Sequence, residues 1–129
     1  MTSDDQVHAL DSAVENAAPL DQPLTGWRLA DSRVLHAHGS RVVGTVLSDL
    51  GFTDLTIFEE VARRYVRGTY PVLARVDIPV GVRVLPLFKV IGSEEGDILL
   101  ARGTQFLVTE WLAPEASSDP PRITLQVVP

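Results

Sequence analysis

Two carboxylates stand two residues apart in Glu95-Gly96-Asp97, directly ahead of the apolar run Ile98-Leu99-Leu100. Gly103-Thr104-Gln105 then leads into a second apolar run, Phe106-Leu107-Val108. In an extended chain residues i and i+2 share a face. The pair can therefore aim both acids at one point in a cleft, where they would stabilise developing positive charge, while the strand behind them is buried. Upstream, in order, come Arg28 at the end of a short apolar stretch, a Gly51-Phe52 turn, and Thr56 ahead of a helix. A guanidinium stays charged and offers planar paired donors, which suits a phosphate or pyrophosphate.

Other chemistries find less support. His36-Ala-His38 would share a face if extended, but no third ligand is visible and catalytic zinc takes three protein ligands. We read them as loop or strand-face histidines and expect no metal. There is no Gly-x-Gly-x-x-Gly or Walker loop, no Gly-x-Ser-x-Gly elbow and no His-Glu-x-x-His. Cysteine is absent, which removes thiol nucleophiles and disulfides. The net charge is -6, and Arg63, Arg64 and Arg67 are diluted by Glu59 and Glu60. A nucleic-acid partner is not expected, because neutralising phosphates requires clustered cations. No run reaches membrane-spanning length and the acidic N-terminus lacks an apolar signal core. The expectation is a soluble cytoplasmic protein without a membrane partner, with virion association or non-classical export as alternatives.

The elements that must position these residues can be laid out from periodicity. At 129 residues, 45% hydrophobic and 22% charged, one domain over 1–129 is expected. Ser3-Asp4-Asp5-Gln6 reads as a capping box, with Val7, Leu10 and Val14 at helical spacing. This predicts a helix over about 4–17 within an N-terminal helical segment, 1–18, stopped near Pro19. Leu24 to Leu29 reads as a strand, and Arg33 to His36 is too irregular to assign. Ser40 to Val43 leads towards a turn at Asp49-Leu50-Gly51. Thr56-Ile57-Phe58-Glu59 is a second capping box, opening a helix with the core stripe Ile57, Phe58, Val61, Ala62 and Tyr65 that ends near Gly68. Val72, Ala74, Val76 and Ile78 alternate with other residues as in a strand, and Pro79-Val80-Gly81 is a turn. Further strands are expected at Arg83–Val90 (an edge or bend because of Pro86), Ile98–Leu100, Gln105–Leu112 and Ile123–Val128, with a proline-rich loop over 114–121. Helices in front and strands behind imply an α+β fold on antiparallel sheet.

In this order the motifs resemble those of the mono-ADP-ribosyltransferases, particularly small bacterial and phage-encoded members, from about Ala9 to Val128. Trp27-Arg28-Leu29 stands where the family has its strand-end Arg, and Gly51-Phe52-Thr53-Asp54-Leu55-Thr56 stands for Gly-Phe-x-Ser-Thr-Ser. Ile78-Pro79-Val80-Gly81 matches the turn before the catalytic segment, and Glu95-Gly96-Asp97 with Gly103-Thr104 matches Glu-x-Glu and its Gly-Thr turn. The resemblance implies a split antiparallel β-sandwich with short flanking helices, NAD as substrate and a protein as acceptor. Arg28 would anchor NAD, Trp27 would wall the cleft or stack on adenine, and Thr56 would cap and brace. Asp97 would stabilise the ribosyl cation. Glu95 would orient an acceptor arginine. Trp111 and Glu94 are read as core or cleft wall and as solvated.

Three departures bear on activity. Asp97 is one methylene shorter than the family's Glu, withdrawing the carboxylate by roughly an ångström, a displacement that can cost about a hundredfold in rate. Asp54 and Leu55 replace two of three hydroxyls, and Asp54 adds a like charge expected to raise the pKa of Asp97. Leu29 replaces a small glycine after the Arg. The competing expectation is a catalytically impaired domain of the same fold with a binding or structural role, for instance in a phage virion.

Overall fold

Alternation along 71–78 builds the middle of the molecule. In the computed structural model, which describes residues 3–48, 53–64, 68–116 and 118–129, Pro71–Ile78 forms a strand in which Val72, Val76 and Ile78 are almost wholly buried. In chain order the elements are α1 (Ser3–Glu15), β1 (Leu24–Asp31), α2 (Arg33–His38), a 3-10 turn (Gly39–Val42), β2 (Val46–Ser48), β3 (Thr53–Thr56), α3 (Glu59–Arg64), β4 (Pro71–Ile78), α4 (Leu87–Ile91), β5 (Asp97–Leu100), β6 (Gln105–Leu112) and β7 (Arg122–Val128). The strands form a seven-stranded sheet in the order β2-β6-β7-β4-β1-β3-β5. The sequence implies an antiparallel sheet, but the observed sheet is mixed: β7 inserts between β6 and β4 and runs parallel to β4. Ile123 and Thr124, successive residues on opposite faces of β7, are both buried, which suits that central position.

The sheet folds over on itself. Leu55 and Ile98, from one end of the strand order, share a core cluster with Phe106 and Val127 from the other end. Two layers packed face to face result, the split β-sandwich implied by the motifs. Gly26 permits this approach, because a Cβ there would lie 2.8 Å from Leu55 Cδ1. A second cluster, Val42, Val72, Ala74, Val108 and Ile123, fills the other half. Each buried Val, Leu or Ile side chain of these clusters contributes about 1.5–3 kcal/mol.

Several local expectations are corrected. Arg33 to His38 is helical, capped by Ser32, whose Oγ accepts from the Leu35 N–H at 3.2 Å. His36 and His38 therefore lie on a helix rather than on a loop or strand face. Arg83 to Val90 is not a strand: Arg83 and Leu85 make isolated bridges to Pro19 and Leu99, and α4 follows. Pro86 sits just before the first turn of α4, where its missing N–H costs nothing, and Gly92 ends the helix with φ of 70°. Thr56 does not open a helix, because 53–56 is held in strand pairing with 97–100 and α3 starts at Glu59. Phe58 is 40% exposed rather than core. The turn expected at 49–51, the Gly51-Phe52 motif, Tyr65 and Arg67 lie outside the described residues.

Candidate active site

Strand register assembles the site. β1 meets β3 at Trp27 opposite Thr56, and β3 meets β5 at Thr56 opposite Asp97. Directly paired residues project to the same face of a sheet, so Trp27, Thr56 and Asp97 stand in a row. Asp54, two residues before Thr56, shares that face, while Gly26, Leu55 and Ile98 turn to the core. α3 packs against β1 and contributes Val61 and Ala62. The result is an open cleft of about 310 Å³ lined by Trp27, Arg28, Asp54, Thr56, Glu95 and Asp97 together with Leu29, Leu55, Val61 and Ala62. Every site residue singled out from sequence thus reaches one cleft. Arg28 also borders the adjoining slot of about 390 Å³, with Ala30, Thr53, Leu55 and Ala74.

The acidic turn is stapled to the end of β3. Thr56 Oγ1 donates to the Glu95 carbonyl at 2.6 Å and accepts from the Phe58 N–H at 3.1 Å, and the Ile57 N–H donates to the Gly96 carbonyl at 3.0 Å. Thr56 braces the acidic segment rather than capping α3. Gly96 adopts φ of 70°, and a Cβ there would lie 2.7 Å from Ile57 Cγ1. The residue between the two acids must therefore be glycine for the turn to close. The Glu95 N–H donates to Ser93 Oγ at 3.1 Å. Behind Asp97, Ile98, Leu99 and Leu100 are buried, so the acid sits at the mouth of a rigid strand.

The repulsion expected between Asp54 and Asp97 is expressed at Asp54. Its pKa is raised, first by burial and then by the Asp97 charge, with the Arg28 guanidinium opposing both. This places Asp54, Asp97 and Arg28 in one electrostatic unit.

Sequence reasoning missed Arg122. Its guanidinium carbon lies 5.4 Å from the Trp27 ring centre, and its Nη2 is 3.4 Å from Glu59 Oε1. Glu59 also accepts from Arg63 Nε at 2.9 Å, so the acid assigned to a capping box instead ties α3 to β7. No spacing pattern could reveal this, because the contact spans 63 positions. His36 has a structural role: Nε2 is 2.7 Å from the Pro71 carbonyl, and its ring packs edge-on to Tyr70. Trp111 packs on the second core cluster, away from the cleft. Among the described residues, no group of three or more His, Cys, Asp and Glu side chains could hold a metal. No helix among them is long and apolar enough to cross a membrane.

The architecture is the fold of the mono-ADP-ribosyltransferase toxins. Plx2a, an ADP-ribosyltransferase toxin from Paenibacillus larvae, superposes with a TM-score of 0.77 at 17% identity, covering 98% of this chain and 71% of the toxin. Vis, an ADP-ribosyltransferase from Vibrio splendidus, solved in complex with agmatine, gives 0.73 at 24% identity over 98% of this chain and 58% of Vis. C3stau2 from S. aureus, solved with NAD, gives 0.70 at 15% identity over 99% of this chain and 73% of C3stau2. No protein-family model and no curated protein sequence matches the chain.

Proposed function

We propose that this chain is an NAD-dependent mono-ADP-ribosyltransferase domain acting on a protein, with an arginine side chain as acceptor. The observation that carries this reading is the convergence of Trp27, Arg28, Thr56, Glu95 and Asp97 on one cleft in this fold. Arg28 supplies a permanent cation for the pyrophosphate of NAD. Trp27 forms the apolar wall beside it. Cleavage of the bond between ribose and nicotinamide leaves an oxocarbenium-like sugar, and the Asp97 carboxylate stabilises that charge, as a carboxylate does in glycosidases. Glu95, on the exposed turn, receives the acceptor guanidinium, and Thr56 holds that turn in place. The agmatine complex of Vis supports a guanidinium acceptor, and the NAD complex of C3stau2 supports the donor.

Asp97 in place of Glu and the loss of hydroxyls at Asp54 and Leu55 favour a second reading, an impaired domain that retains the fold for binding. Nicotinamide release from NAD separates the two. Release by the wild type that vanishes in Asp97→Ala, with Asp97→Glu equal or faster, is the expected result. Release from Asp97→Glu alone establishes the impaired domain, and silence from all three ends the transferase reading.

A further inference from the structure

Arg122 crosses the middle of the sheet to reach the wall of the cleft. It stands on β7 opposite Leu73 of β4, and Leu73 in turn pairs with Leu29 of β1. Trp27 is two residues along from Leu29 and two strands from Arg122, about 9.5 Å across the sheet. Paired positions, and positions two residues on, share one face. The guanidinium therefore passes over β4 to sit above the indole, 5.4 Å from the ring centre. Glu59, in the first turn of α3, holds it there, with Oε1 3.4 Å from Arg122 Nη2. Glu110, diagonal to Arg122 on the adjacent β6, instead accepts from Thr124 Oγ1 at 3.3 Å.

The chain Glu59–Arg122–Trp27 joins the two elements that wall the cleft. Trp27 and Leu29 come from β1, and Val61 and Ala62 from α3. One face of the indole lies under the guanidinium, which favours a single ring orientation. The acidic turn is held separately, by Thr56 Oγ1 on the Glu95 carbonyl.

We propose that Arg122 is a positioning residue of this site: it fixes the Trp27 ring as the cleft wall, and Glu59 fixes Arg122. The inference rests on the proposed use of NAD. A wall ordered before the ligand arrives does not have to be ordered on binding. Arg122 therefore acts on the affinity for NAD, and the bond-breaking step beside Asp97 is left to the separately held turn.

The test uses Arg122→Met, which keeps the stem and loses the cation, Arg122→Lys, which keeps a cation, and Glu59→Gln, which leaves β7 intact. Measured are Kd and KM for NAD, kcat for nicotinamide release, melting temperature, and acrylamide quenching of Trp27 in a Trp111→Phe background. Arg122→Met should raise Kd and KM about threefold to thirtyfold, the range of a cation–aromatic contact, while kcat holds. Trp27 should become easier to quench without NAD present. Arg122→Lys should recover most of the affinity, and Glu59→Gln should show a smaller loss of the same sign. In a Trp27→Leu background Arg122→Met should have no further effect, because a residue acting through Trp27 couples to it. An equal loss with and without Trp27 overturns the positioning role and leaves the transferase reading standing. Unchanged quenching, or a fall in kcat and melting temperature at constant KM, does the same. A wild type that neither binds NAD nor releases nicotinamide overturns both.

Discussion

Outside the cleft, three carboxylates are matched to cations. Asp77 lies 3.1 Å from Arg75 Nε, Glu59 is shared by Arg63 and Arg122, and Asp11 pairs with Arg102. In the cleft, Asp54, Glu95, Asp97 and Arg28 line one surface. The matched pairs are partly exposed and contribute at most about 1 kcal/mol each. In the cleft the pKa of Asp54 is raised, first by burial and second by the Asp97 charge, with Arg28 opposing both. The buried strand behind Asp97 holds this carboxylate in place, which suits the cationic intermediate of the proposed reaction.

That contrast can be broken from the cleft side first. Gly96→Ala forces a side chain onto a left-handed backbone and into Ile57. It should lower stability by about 1–3 kcal/mol and, by shifting Glu95 and Asp97 by roughly an ångström, cut nicotinamide release about a hundredfold. Thermal melts and release assays on the same sample measure both. Arg28→Ala should raise the KM for NAD roughly ten- to a hundredfold, the loss of a charged hydrogen bond, with the melting temperature little changed. Arg75→Gln, which dissolves a pair outside the cleft, should alter stability by less than about 1 kcal/mol and leave release unaffected. A release defect in Arg75→Gln as large as in Arg28→Ala would erase the distinction between the two regions.

Much of this was legible in the residues. Period-two alternation located β4, and the apolar runs located β5, β6 and β7 to within a residue. The motif order named the fold, and the five site residues do share a cleft. The misreadings have local causes. The largely apolar run Arg83 to Val90 reads as a strand with an edge or bend at Pro86, but it makes only isolated bridges and turns into α4. Thr56 followed by Glu59 mimics a capping box, yet pairing with β5 outweighs the cap and keeps Thr56 extended. The three-residue β2 carries too little pattern to register.

Sequence by itself determined the inventory: which acids and which arginine exist, the glycine between Glu95 and Asp97, the absence of cysteine, and the chain order that resembles a transferase. These are properties of residue type and short spacing, which covalent geometry alone transmits. Tertiary structure decided which charges meet. The placement of Asp54 diagonal to Asp97, the stacking of Arg122 on Trp27 and the insertion of β7 parallel to β4 arise from pairings between strands distant in the chain. Register between such strands is settled by burying Leu55, Ile98 and Phe106 together, a collective packing energy that no local pattern encodes.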